Sequence, residues 1–245
     1  MNSAVTEDFF LDGRVRIRQP AKGFRAGVDS VLLAAAIEAK DGDELMEAGC
    51  GVGVALLCAA ARLPNVHFVG MEREGEATRL ARENIALNGA ESRVMIEQGD
   101  ALALGLKVGR TFDGVFLNPP FDVAETAQQP HPARAASYLT ETSIEDWIKA
   151  LADKLRGGAA LTLIQRAEHL GAILAALEGR LGGVEILPLR PRPHEPAKRV
   201  LVRARKGSRA ALRLLKGYDL HDDSGAKFTP AIDAALRGQA PIAWR

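Results

Sequence analysis

Two alternating runs open the chain. FFLDGRVRIRQ carries apolar residues on either side of Asp12-Gly13, a pair that tolerates positive φ, and so predicts a β-hairpin. VDSVLLAAAIEA (28–39) has helical composition and no breaker. A regular alternation follows. DELMEAG predicts a short strand, GCGVG a glycine turn, and ALLCAAARL a helix stopped by Pro64. VHFVGME is a continuous apolar strand ending in an acid, and GEATRLARENIALNG is a helix closed at Asn88-Gly89. RVMIEQGD, FDGVFLNP, AALTLIQ and VEILPL read as further strands. Helices over SIEDWIKALADKL and 168–181 lie between some of them, the first with Ser143 and Asp146 spaced as a capping pair. KRVLVRARK follows VEILPLRPRPHEPA with no helix between, so it should pair antiparallel with its predecessor.

Strands buried on both faces and alternating with helices predict an α/β fold. Its sheet is doubly wound and mostly parallel, with seven strands, an antiparallel last strand and an added N-terminal hairpin. We expect one domain, 1–245: a hairpin appendage over 1–26, a core over 27–206 and a C-terminal extension over 207–245.

The composition, 47% hydrophobic and 26% charged, excludes a wholly disordered chain. No apolar run approaches the roughly 18 residues of a membrane span. MNSAVTEDFF lacks the basic start and apolar stretch of a secretion signal. Two cysteines and no metal-type Cys/His spacing predict a reducing, cytoplasmic setting and no bound metal. Net charge is +1, but it is unevenly spread. Eleven Lys/Arg lie between Arg180 and Lys216 against only Glu185 and Glu195. Arg14, Arg16, Arg18, Lys22 and Arg25 oppose only Asp12 along 12–25. Such stretches offer phosphate contacts to a nucleic acid, or serve as a solvated sheet edge.

Glu47-Ala-Gly49-Cys-Gly51-Val-Gly53 sits at a strand end and opens a helix. Glycines spaced by two let the backbone approach a ligand closely, and a helix start offers unpaired N–H groups. The GxGxG spacing differs from the GxGxxG of dinucleotide enzymes. The next strand ends in Glu72, whose carboxylate can accept both hydroxyl protons of a ribose diol. The strand after it ends near Asp100-Ala101, where Asp100 can accept a proton from an exocyclic amine or cap a helix. All three features fall at carboxyl ends of neighbouring parallel strands, where open α/β sheets bind ligands.

Asn118-Pro119-Pro120-Phe121 ends the strand FDGVFL. An amine conjugated to an aromatic ring is a poor nucleophile, because its lone pair is delocalised. The Asn118 side-chain oxygen and the Pro119 carbonyl can each accept one of its N–H bonds. They thereby aim the lone pair at an electrophile and stabilise charge growing on nitrogen. The prolines stiffen the turn, and Phe121 can stack on an extruded base.

From Leu45 to Arg205 the chain resembles class I S-adenosylmethionine-dependent methyltransferases with a Rossmann-like sheet. The Asn-Pro-Pro-Phe run resembles the amino-methyltransferase signature. The segment Lys22-Gly-Phe24-Arg-Ala-Gly27-Val28-Asp29-Ser30 resembles the corresponding part of bacterial valine-tRNA (adenine-N6) methyltransferases. The resemblance implies S-adenosylmethionine as cofactor. It places Gly27, Asp29, Glu47, Gly49, Gly51, Gly53, Glu72, Asp100, Ala101 and Asn118 around that cofactor, and a target adenine beside the valine anticodon. Asp29 can also be a helix N-cap. The polar loop after Phe121, with His131 and Arg134, would shape the target pocket. Two alternatives within enzymes are methylation of another RNA base and of a protein glutamine amide. From a different class, the chain could be a non-catalytic RNA-binding module on a methyltransferase scaffold.

Overall fold

The computed structural model describes residues 5–22, 25–102, 109–119, 143–222 and 224–245. Phe24, Pro120, Phe121 and the loop over 122–138 lie outside the described residues. The hairpin forms as expected: β1 (Val5–Phe10) and β2 (Val15–Pro20) pair antiparallel across the Leu11–Arg14 turn. α1 (Val28–Ala36) leads into β3 (Glu44–Ala48), α2 (Val54–Arg62), β4 (His67–Glu72), α3 (Gly75–Leu87), β5 (Val94–Gln98) and β6 (Phe112–Leu117). Next come α4 (Ile144–Ala152), β7 (Leu155–Arg166), a 3-10 turn, α5 (Leu170–Leu177), β8 (Leu181–Arg190) and β9 (Arg199–Lys206). Two short strands, β10 (Arg213–Leu214) and β11 (Tyr218–Asp219), precede α6 (Pro230–Leu236).

The central sheet has the order β10-β8-β9-β7-β6-β3-β4-β5, with β11 also on β8. Every pairing is parallel except those of β9, which runs against both β7 and β8. This is the expected doubly wound, mostly parallel sheet, with nine strands instead of seven. The two extra strands are two residues each, too short to carry an alternating pattern. They form because β8 would otherwise leave its outer backbone groups unpaired.

Two helices stop earlier than their apolar content suggests. α1 ends at Ala36, and the run expected to be helical to Leu181 ends at Leu177. In the second case Gly179, at φ 71°, turns the chain and releases Leu181 into β8. Ser143 and Asp146 form a full capping box on α4.

β3 is buried on both faces. Leu45 joins a cluster with α1, α2 and the hairpin residues Val15 and Ile17, while Met46 and Ala48 join α4 and α5 on the other side. Trp147, Ile148 and Leu151 are the buried face of α4, at about 1.5–3 kcal/mol of burial energy each.

The hairpin is locked to α3 by two asparagines one helical turn apart. The Arg18 and Arg16 N–H groups donate to Asn84 Oδ1 (2.7 Å) and Asn88 Oδ1 (2.9 Å). The amide Nδ2 groups of Asn84 and Asn88 return bonds to the Arg18 and Arg16 carbonyls. Side-chain amides thus stand in for a missing neighbour strand.

Candidate active site

The parallel register sets Ala48 beside Met71 and Leu117, and Glu72 beside Gln98. Gly49, Asn118, Glu72 and Asp100 therefore emerge together at the carboxyl ends of β3, β6, β4 and β5. Gly49, Gly51 and Gly53 take φ values of 68°, 55° and 87°, a left-handed run that L side chains resist. The turn is hung from β4. The N–H groups of Gly49 and Cys50 both donate to the Met71 carbonyl, at 2.9 and 3.0 Å. Glu72 then braces the turn. Its Oε2 accepts from the Gly51 N–H and its Oε1 from the Glu74 N–H, each at 2.8 Å. Each carboxylate oxygen keeps further lone-pair capacity beyond these bonds.

Asn84 supplies another brace. It is fully buried, and its Nδ2 donates to the Val52 carbonyl within the glycine turn (2.9 Å) as well as to Arg18. Sequence reading did not single it out; its signal is a polar, weak helix former on the buried face of an amphipathic helix.

Three buried side-chain polar atoms have no hydrogen-bond partner among the described residues: Glu47 Oε2, Asn118 Oδ1 and Trp147 Nε1. All three belong to residues around the glycine turn. Glu47 lies two positions before Gly49. Asn118 follows the residue paired with Ala48. The Trp147 ring packs where a Gly49 side chain would grow, its Cη2 3.3 Å from that point. Orphaned buried polar atoms are rare and costly, so their concentration marks a place built to be completed by a ligand. Burial holds the Glu47 carboxyl well above the usual carboxylate range. Neighbouring Glu72 adds to the push, and a backbone hydrogen bond at Leu56 opposes it. Nothing lies within 4 Å of a side chain built on Gly51, which leaves room for a ligand against the backbone there.

Other expected residues behave differently. Asp29 is not the N-cap of α1: Gly27 holds that position, with no side-chain cap bond. Asp29 instead accepts from Arg199 Nε at 2.9 Å, which ties the start of α1 to the start of β9. Asp100 Oδ1 accepts the Leu102 N–H at 2.9 Å, the cap-like role, and Ala101 is buried beside it.

The basic stretches are heavily committed. Across the hairpin, Glu7 pairs with Arg16 and Arg18, and Asp8 pairs with Arg25. In the second stretch, Arg203 and Arg213 pair with Glu185, and Arg190 pairs with Asp219. A cavity of about 470 Å³ lined by Lys40, Asp113, Arg156 and Arg205 opens at the amino ends of β3 and β6. That edge is opposite to the glycine turn.

Three lines of comparison agree with this geometry. The model of the methyltransferase small domain matches residues 25–184. The tRNA1(Val) (adenine(37)-N6)-methyltransferase of Yersinia pseudotuberculosis is 28% identical over 181 residues, covering 73% of this chain and 71% of that protein. Its counterpart from Actinobacillus succinogenes is 26% identical over 161 residues, covering 65% and 68%. Among solved structures, a predicted O-methyltransferase from Agrobacterium tumefaciens superposes with a TM-score of 0.73 at 29% identity, over 88% of this chain and 98% of that one. A type I restriction-modification methyltransferase subunit from Streptococcus thermophilus shares the fold, with a TM-score of 0.58 at 21% identity over 86% and 52%. With the family model spanning well over half its length, this chain belongs to the methyltransferase small-domain family and uses S-adenosylmethionine as its cofactor.

Proposed function

We propose that this protein methylates the exocyclic N6 of an adenine in tRNA, the adenine next to the valine anticodon. The observation that carries the reading is Asn118 Oδ1, a buried acceptor with no partner, at the end of β6 beside the glycine turn. The cofactor, when bound, supplies an electrophilic methyl group on a sulfonium sulfur.

This chain's residues hold and aim. Gly49, Gly51 and Gly53 would keep the backbone close to the cofactor, Glu72 would accept from the ribose hydroxyls, and Asp100 with Ala101 would border the adenine. Glu47, buried behind the turn, contributes Oε2, which has no partner among the described residues. Gly27 and Asp29 close from the start of α1, held there by Arg199. Asn118 Oδ1 and the Pro119 carbonyl each accept one N–H of the target amine, which turns its lone pair toward the methyl carbon. Pro120 and Phe121 continue the grip, Phe121 by stacking on the base.

The cofactor would give up its methyl, a C–S bond exchanged for a C–N bond to the amine that Asn118 and Pro119 hold. Positive charge passes to nitrogen, where the two oxygens stabilise it. The amine proton then leaves to solvent, so no strong base is needed. Positioning is the main contribution of the protein.

The test is to incubate the protein with methyl-labelled cofactor and total RNA from a bacterium lacking the activity, then digest to nucleosides. Label in N6-methyladenosine, recovered from valine tRNA, is expected. Label in another nucleoside, or only in protein glutamine when protein substrates are supplied, would overturn the reading.

A further inference from the structure

Sheet topology divides the long basic segment in two. β9 runs antiparallel to β7, so Arg199 lies level with Arg166 at the carboxyl edge, and Arg205 lies level with Ala160 toward the amino edge. The turn between β8 and β9 stands over the same edge as Asn118. Leu163 of β7 is level with Leu117, so the Arg166–Arg199 pair rises three residues, about 10 Å, above the end of β6. Arg199, on β9, stands two strands, again about 10 Å, to one side of it, and Arg166, on β7, stands one strand away.

The turn is built to project. Pro191, Pro193 and Pro196 limit its backbone. The Glu195 N–H bonds back to the Arg192 carbonyl, with Pro193 and His194 between them. His194 takes φ 70°, a conformation that favours glycine. The base of the turn is pinned from both sides: the His221 N–H donates to the Pro191 carbonyl, and the Ala167 N–H donates to the Lys198 carbonyl.

Exposure alternates along it. Arg192, His194, Pro196 and Lys198 are exposed, and Glu195, its one acid, is half-buried. Arg190 and Arg199 at its base are paired with Asp219 and Asp29. The Arg192 and Lys198 side chains have no hydrogen bond or ion pair among the described residues. A rigid, strained projection that presents two unpaired cations and an imidazole, and turns its carboxylate aside, suits a polyanionic strand crossing the rim of the crevice.

We propose that the β8–β9 turn, 191–198, docks the RNA backbone flanking the target nucleotide, with Arg192 and Lys198 on phosphates. The proposal rests on the reading of this protein as an RNA methyltransferase. The test compares wild type, R192E/K198E, and a control pair at the opposite edge, K40E/R209E. Binding of unmodified valine tRNA transcript is titrated at several salt concentrations, and cofactor affinity is measured by calorimetry. The turn variant should bind RNA at least about tenfold more weakly, with a salt slope shallower by about two, while its cofactor affinity stays at wild type. The control should bind RNA within about twofold of wild type. If wild type binds and methylates RNA but the turn variant binds equally well, or the control loses as much, the docking surface is overturned and the enzymatic reading stands. Wild-type protein that neither binds nor methylates any RNA would overturn both.

Discussion

At the residue scale the crevice is defined by side chains that lack partners, and this separates ligand binding from stability. Asn118 Oδ1 bonds to nothing described in the protein, so Asn118→Ala should leave the melting temperature within about 2 °C of wild type, as expected where no protein bond is lost. Glu72 is the opposite case. It braces the glycine turn through two backbone N–H groups, so Glu72→Ala should weaken cofactor affinity and also lower stability by about 1–3 kcal/mol. Calorimetric titration and thermal melts read the two effects, and unchanged affinity would refute the ribose assignment.

Glu47 gives a pH signature. Its folded-state pKa is raised above the unfolded value near 4.5, so the folded protein keeps a proton that the unfolded chain releases. Stability from this group is fully present below about pH 4.5 and declines as pH rises toward the folded value, by up to about 1.4 kcal/mol per unit. Glu47→Gln should flatten that decline between pH 5 and 7 in denaturant titrations. A slope identical to wild type would mean that the carboxyl is ionised.

At the element scale, the strands and helices of the core were legible because their burial follows period. β3, β4 and β6 are buried over most of their length, and α4 carries its cap and its buried stripe in one short run. What was not legible is how elements are joined by polar side chains far apart in sequence. Counting charge from 12 to 25 leaves the hairpin strongly basic, yet Glu7 and Asp8 face those arginines across the ladder. Asn84 joins β2, α3 and the glycine turn at once, and its local sign, a polar residue on a buried helix face, does not say what it bonds to. Asn84→Ala should cost about 2–4 kcal/mol, since it strands the Arg18 N–H and two carbonyls. It should also raise the KM for S-adenosylmethionine through the loosened turn. A variant that is destabilised but has an unchanged KM would restrict Asn84 to the hairpin.

At the scale of the whole molecule, the end of the chain closes the end of α1. The last carbonyls of that helix are met by distant groups: Ala34 by Arg62, Ala35 by the Ile242 N–H, and Ala36 by Trp244 Nε1 at 2.9 Å. Arg203 stacks 4.4 Å above the Trp244 ring while pairing with Glu38 and Glu185. The C-terminal residues, expected as an extension of the core, are thereby part of it. Trp244→Ala should destabilise by about 3–5 kcal/mol in denaturant melts. A cost below about 1 kcal/mol would show that α1 ends stably without it. The gathering of Gly49, Glu72 and Asp100 at neighbouring strand ends was legible from the alternation of strands and helices. The division of the basic segment between two edges was not, because it depends on the reversal of β9.

The account turns on Asn118 as the group that aims the target amine. The most direct measurement is the single-turnover rate of methyl transfer to valine tRNA by Asn118→Ala, beside its calorimetric affinity for S-adenosylmethionine. A loss of about 2–4 kcal/mol of transition-state stabilisation is expected, roughly 30- to 1,000-fold in rate, with cofactor affinity within about threefold of wild type. Transfer at the wild-type rate would contradict it.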